Sequence, residues 1–145
     1  MWVTRVGDCF QGDRRLVWMA PYERLDAWRL AHRLALLVYE ATDSWPAEER
    51  FGLTIQLRRA ALSVPTNIAE GAAKRGHREF RRFLDIALGS LSEVTYLLHF
   101  SRDRGLLTPE CWLELEALRN RAGILTWRLY RSVSPQASER SADHS

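Results

Sequence analysis

The chain has 145 residues, of which 46% are apolar and 27% charged, and this is enough to bury the core of one domain without disulfides or metals. Eight glycines and five prolines are too few for a β-sandwich or a disordered chain, so a compact globular domain is expected. A net charge of +3 is weak evidence for an acidic partner until the position of the charges is considered.

The two ends of the chain differ from its centre. Residues 1–20 have no apolar periodicity and are predicted to be an irregular leader, and Met19 suggests the hypothesis that translation starts there. Residues 134–145 are polar and rich in serine, and we predict a disordered tail. The folded domain is therefore expected at residues 21–133.

Apolar residues recur at spacings of three and four in four successive segments, which predicts helices over residues 22–42, 47–73, 77–104 and 109–133. Gly105 is suited to end the third helix, and Thr108-Pro109 to begin the fourth with a hydroxyl cap and a first-turn proline. No strand pattern competes with these helices. The sequence thus predicts an all-α fold, an antiparallel up-down-up-down four-helix bundle.

The second predicted helix contains a proline in its interior. Pro65 removes one backbone donor and crowds the carbonyl of Ala61, at a cost of roughly 3 kcal/mol in an ordinary helix. We therefore predict a kink near Pro65, with side chains close enough to bond the freed backbone groups at Ser63, Thr66 and Asn67.

The motif that follows this proline has two interpretations. In the first, Pro65 and Gly71 shape a kink and a helix end. In the second, Asn67 and Glu70 form a ligand or partner site.

Basic residues are concentrated around the passage from the second helix to the third. We expect one outward patch, made of Lys74, Arg75, Arg78, Arg81 and Arg82. Arg58 and Arg59 lie earlier on the second helix and would join the patch across a subunit interface, or pair with acids such as Glu93. The patch fits phosphate contacts, and the alternatives are a solvated arginine face or a protein-docking surface.

The two aromatic residues among these basic residues, Phe80 and Phe83, are expected to lie in the core or in an interface and not to stack on bases. Stacking on single-stranded bases is therefore not predicted, and binding is expected to depend on backbone and shape more than on base sequence.

Catalytic and metal-binding motifs are missing from the sequence. The four histidines and two cysteines have no metal-ligand spacing, and there is no phosphate-binding glycine loop. His77 is the one candidate base for a ribonuclease, and we predict no enzyme activity and no cofactor. Two distant cysteines and no membrane-spanning apolar run indicate the cytoplasm.

Two stretches resemble a known family. The segments "ERFGLTIQLRRAALSVPTNIAEG" and "REFRRFLDIALGSLSE" are similar to proteins encoded in intervening sequences of bacterial 23S ribosomal RNA genes, and the likeness extends from Tyr22 to Tyr130. The resemblance implies a small cytosolic four-helix bundle that forms ring-like homopentamers with basic surfaces. Gly76 departs from the family pattern, which commonly has a capping serine there.

The resemblance also includes a distant likeness to the accessory protein of diversity-generating retroelements, which binds a reverse transcriptase and nucleic acid. That protein typically lacks the Pro-x-Asn-Ile-Ala-Glu-Gly piece. The leading hypothesis is therefore a homo-oligomeric, RNA-binding bundle, and the alternative is a protein-interaction scaffold or reverse transcriptase accessory subunit. Six tryptophans are more than one small core needs, which favours contacts between subunits.

Overall fold

The computed structural model describes residues 20–133, and this part of the chain contains helices and no strand. The α-helices are α1 (Asp26–Thr42), α2 (Ile55–Ala73), α3 (His77–Asp103) and α4 (Pro109–Ser132). Short helical turns of other types cover Pro21–Arg24, Ala47–Glu49 and Arg50–Thr54. The all-α prediction is confirmed, whereas the predicted leader and tail lie outside the described residues, apart from Ala20.

The helices pack in a cyclic order, in which α1 contacts α2 and α4, and α3 contacts the same two helices. Ser63 near the middle of α2 bonds Ser90 of α3 through their hydroxyls at 2.9 Å, whereas Gly71 at the end of α2 lies against Phe80 and Phe83 at the start of α3. Residue numbers therefore rise along α2 as they fall along α3, so these two helices are antiparallel.

The contacts between α3 and α4 show the relative direction of these two helices. Arg81 at the start of α3 lies over Tyr130 at the end of α4, and His99 near the end of α3 contacts Trp112 at the start of α4. These two helices are also antiparallel, as the bundle prediction requires.

Leucine and β-branched residues from all four helices fill the core. Its fully buried side chains include Leu34, Leu57, Ile68, Leu84, Leu98 and Leu115. The buried hydroxyls of Thr42, Ser101 and Thr126 each donate to the carbonyl four residues earlier, so they enter the core without losing a hydrogen bond.

Helix α2 continues through Pro65 without interruption, and a bend at this residue stays a prediction. Thr66 Oγ1 donates to the Leu62 carbonyl and Asn67 Nδ2 donates to the Ser63 carbonyl, both at 2.8 Å. These two carbonyls keep their own helical partners, and none of the side-chain hydrogen bonds among the described residues goes to the Ala61 carbonyl, which is the group that Pro65 leaves without a donor. The predicted rescue of the freed group therefore stays a prediction.

A separate irregularity, which the sequence did not predict, lies at Gly52, where φ is −114° and ψ is −107°. The region predicted as the first two turns of the second helix is instead a 3₁₀ turn followed by a wide π-helical turn.

Gly76 connects α2 to α3 with φ of 90° and ψ of 153°, which favours glycine over any residue with a Cβ. No side chain caps the first turn of α3 at this position. The tight connection places the end of α2 and the start of α3 at the same corner of the bundle.

Candidate nucleic-acid interface

Five cationic side chains lie at the corner between α2 and α3, and we call this set the basic corner: Lys74, Arg75, Arg78, Arg81 and Arg82. All are exposed except Arg81, which is half-buried. Their acidic neighbours on α3 are Glu79 and Asp85, so positive charge exceeds negative charge at this corner.

One ion pair lies within the basic corner. Arg82 Nη2 is 3.3 Å from Glu79 Oε2, and both side chains are about half exposed to solvent. A pair exposed to this degree contributes little energy and is readily exchanged, so Arg82 remains available to an anionic partner.

The Phe83 ring positions two of the cations. Arg82 Cζ lies 4.6 Å and Lys74 Nζ 5.5 Å from its centroid. Phe83 is itself buried at the contact between α2 and α3. The ring thus ties these two cations to the folded core.

Helix α4 brings two aromatic side chains to the basic corner. Arg81 Cζ lies 4.6 Å from the centroid of the Tyr130 ring, and Trp127 stacks on Tyr130 with centroids 5.5 Å apart and planes 19° apart. The buried Arg81 Nε has no hydrogen-bond partner among the described residues. Sequence reasoning did not connect Trp127 or Tyr130 with the basic corner, because both lie more than 40 residues from the basic run.

An open groove of about 490 Å³ passes between these groups, lined by Arg78, Glu79, Arg81, Arg82, Asp85 and Tyr130. Guanidinium groups and one aromatic side chain therefore line the same space. Such a groove can hold phosphate oxygens by paired hydrogen bonds, which an arginine fork provides.

Arg58 does not belong to the basic corner. Its Nε donates to Thr42 Oγ1 at 2.7 Å, its Nη2 lies 2.9 Å from Asp43 Oδ1, and its Cζ lies 4.6 Å from the Tyr39 ring centroid. Arg58 thus joins α2 to the end of α1. Sixteen residues of helical rise place it roughly 24 Å from Lys74.

Arg59 is exposed beside its neighbour Arg58 and lines a second open groove with Gln56 and Glu93. No ion pair joins Arg59 to Glu93 among the described residues, so the pairing of the two stays a prediction. Within one subunit, Arg59 faces a different surface from the basic corner.

The motif residues lie mainly in the contact between α2 and α3. Pro65 and Gly71 are buried, and Asn67 Nδ2 donates to the Ser63 backbone carbonyl and side-chain hydroxyl. Glu70 is exposed. The described contacts therefore support the structural interpretation of this motif, and a ligand or partner site at Asn67 and Glu70 stays a hypothesis.

The residues considered as a catalytic base or as metal ligands do not come together in the fold. His77 is exposed at the start of α3, and no three potential metal ligands come together within residues 20–133. Burial raises the pKa of the Cys111 thiol, and the nearby Glu114 carboxylate raises it further, so this thiol is a poor nucleophile at neutral pH.

None of the helices in the described part of the chain has the length and apolar character needed to cross a membrane.

Comparison with known proteins identifies the family. The model of the 23S rRNA-intervening sequence proteins matches residues 23–125. The chain belongs to this family. The matched range includes the whole basic corner and the Pro65–Gly71 motif, whereas Trp127 and Tyr130 lie just beyond it.

Several solved structures resemble this chain in fold, and one of them is described here. This one is a protein of unknown function from the S23 ribosomal protein family of Bacteroides thetaiotaomicron, with 19% sequence identity and a TM-score of 0.66. The similarity covers 72% of this chain and 95% of the other. None of the curated proteins matches this chain. At this sequence identity, the similarity supports the fold of this intervening-sequence protein. It does not indicate an activity.

Proposed function

We propose that this intervening-sequence protein is a non-enzymatic helical bundle that binds RNA through the basic corner. The observation that carries the proposal is the concentration of five cations within nine residues at one exposed corner, opposed by three carboxylates, Glu70 near the end of α2 and Glu79 and Asp85 on α3. Neutralising phosphates there would release condensed counterions, which is the main source of affinity for nucleic acids at low salt.

The arrangement favours contact with the phosphate backbone. Arg78 and Arg82 are exposed on the outer side of α3, where no asparagine or glutamine of the groove is placed to read a base edge. The name of the family connects it with 23S ribosomal RNA, which supports RNA as the ligand class. The proposed ligand is therefore structured RNA recognised mainly by backbone and shape.

A salt series with the double variant Arg78→Ala/Arg82→Ala tests this proposal. If both side chains contact phosphates, the slope of log K against log salt concentration should become shallower by roughly 1.4 to 1.8, because each lost contact contributes about 0.7 to 0.9. Fluorescence anisotropy with a labelled RNA hairpin measures the slope, with single-stranded RNA and duplex DNA for comparison.

The matched control is Arg50→Ala/Arg104→Ala, which removes the same charge from two exposed arginines outside the basic corner. Its slope should equal that of the wild type. Equal slopes for all three proteins, or no binding at low salt by the folded protein, would contradict the proposal.

We also propose that the protein self-associates in the cytoplasm, and the resemblance to ring-forming relatives suggests five subunits. Large apolar side chains that remain exposed in a single subunit support this, including Phe51, which is 86% exposed, and the contacting pair Tyr96 and Phe100. Light scattering gives the number of subunits.

The second candidate function is a protein-interaction scaffold, such as an accessory subunit of a reverse transcriptase. The same exposed aromatics favour it, because aromatic residues dominate the centres of protein interfaces. A folded protein that binds no RNA and stays monomeric at high concentration would favour this candidate over the first.

A further inference from the structure

The solvent face of α4 carries a second heptad stripe besides the one that faces the core. Its members follow at alternating spacings of four and three: Leu113, Ala117, Asn120, Ile124 and Trp127. This is the spacing by which one helix packs along another. All five side chains are exposed, with Leu113 at 67% and Trp127 at 51%.

No other segment of residues 20–133 covers this stripe. The opposite side of α4 packs on α1 and α3 through its own buried residues, such as Leu115 and Ala122. Helix α4 is therefore apolar on two sides, although a helix at the edge of a bundle needs one apolar side.

The charges beside the stripe indicate which partner fits. Exposed acids lie near its first half at Glu110 and Glu114, and exposed arginines lie near its second half at Arg121, Arg128 and Arg131. An antiparallel second copy of α4 would place the acidic half of each helix beside the basic half of the other. A parallel copy would place like charges side by side.

The central polar residue fits the same arrangement. Asn120 is the middle member of the stripe, so a two-fold axis near the centre of the stripe brings the Asn120 amides of both copies close together. A carboxamide both donates and accepts hydrogen bonds, and two such groups can therefore satisfy each other. A polar residue inside an apolar helix contact also selects one register over others.

We propose that the outer face of α4 binds the same face of a second copy of this chain, antiparallel and around a two-fold axis near Asn120. This inference rests on the self-association proposed above and identifies one interface that produces it. A two-fold contact yields an even number of subunits, so a five-membered ring would occur as a pair of rings.

Disruption of the stripe provides the first test. Leu113→Glu/Ile124→Glu places four carboxylates in the paired interface, and sedimentation velocity should show the assembly mass falling to half. The control is Leu36→Glu/Leu62→Glu, which changes two comparably exposed leucines on α1 and α2 and should keep the wild-type mass. Circular dichroism verifies that both variants remain helical.

Cross-linking tests the direction of the pairing. In a Cys9→Ser/Cys111→Ala background, Asn120→Cys should be linked in high yield by a short bismaleimide, because the residue lies near the two-fold axis. Glu110→Cys should remain unlinked, because antiparallel pairing separates the two copies of this position by roughly 30 Å. A mixture of Glu110→Cys and Arg131→Cys subunits should link between the two positions.

The mass and cross-linking measurements distinguish failure of the pairing from failure of self-association. A monomeric wild type overturns both the pairing and the proposed self-association. An oligomer whose mass survives Leu113→Glu/Ile124→Glu, and whose Asn120→Cys variant does not link, overturns the pairing and leaves self-association in place. Linking of both Asn120→Cys and Glu110→Cys to their own copies indicates a parallel contact and also overturns the inference.

Discussion

At the scale of single residues, the two glycines Gly71 and Gly89 lie in helices but in opposite surroundings. A Cβ at Gly71 would lie 2.8 Å from Phe83 Cβ and 3.2 Å from the Phe80 backbone oxygen, whereas a Cβ at Gly89 would have nothing within 4 Å. The Pro65–Gly71 motif therefore ends in glycine because α2 and α3 approach closely there.

Gly71→Ala should lower the free energy of unfolding by about 1–3 kcal/mol, because the added methyl group forces α2 away from the Phe83 Cβ and the Phe80 backbone. Gly89→Ala should raise it by up to about 1 kcal/mol, since alanine favours the helix and meets no obstacle. Urea denaturation followed by circular dichroism measures both. Equal effects of the two substitutions would show that close packing does not determine the residue at position 71.

At the scale of helices, sequence periodicity located all four correctly, because each buries one regular apolar face. The start of α2 is different, since the π-helical turn at Gly52 depends on backbone angles that no spacing of apolar residues reveals. The basic corner was predicted because its five cations are close in sequence. Tyr130 was missed because only the packing of α4 on α3 brings it to Arg81.

The start of α4 depends on a side-chain cap, in contrast to the uncapped start of α3. Thr108 Oγ1 accepts a hydrogen bond from the Cys111 backbone N–H at 3.2 Å. Thr108→Ala should therefore reduce the free energy of unfolding by about 1 kcal/mol. Ser92→Ala is the control, because this exposed hydroxyl bonds a carbonyl within α3 and alanine is the better helix former, so stability should be unchanged or slightly higher. A smaller loss at Thr108 than at Ser92 would contradict the capping role.

At the scale of the whole molecule, the arginines have different structural and binding roles, which their charge alone does not reveal. The sequence placed Arg58 among the candidate nucleic-acid contacts because it is basic and close to the run. Its partners Thr42, Asp43 and Tyr39 come from α1, and only the folded connection between α1 and α2 brings them within reach.

Replacement of Arg58 should therefore separate stability from binding. Arg58→Ala removes a charged hydrogen bond to the buried Thr42 hydroxyl and should lower the free energy of unfolding by about 1–3 kcal/mol. Its neighbour Arg59 is exposed, so Arg59→Ala should change stability by less than about 0.5 kcal/mol. Thermal melts compare the two variants.

The same two proteins test where the RNA surface ends. Because Arg58 lies roughly 24 Å along α2 from Lys74, its loss should leave the salt dependence of RNA binding equal to that of the wild type. A slope that becomes shallower in Arg58→Ala, at a temperature where the variant is fully folded, would mean that Arg58 contacts phosphate. In that case the basic corner of one subunit would have to extend onto α2 of another, and the binding surface would belong to the assembly rather than to the single bundle.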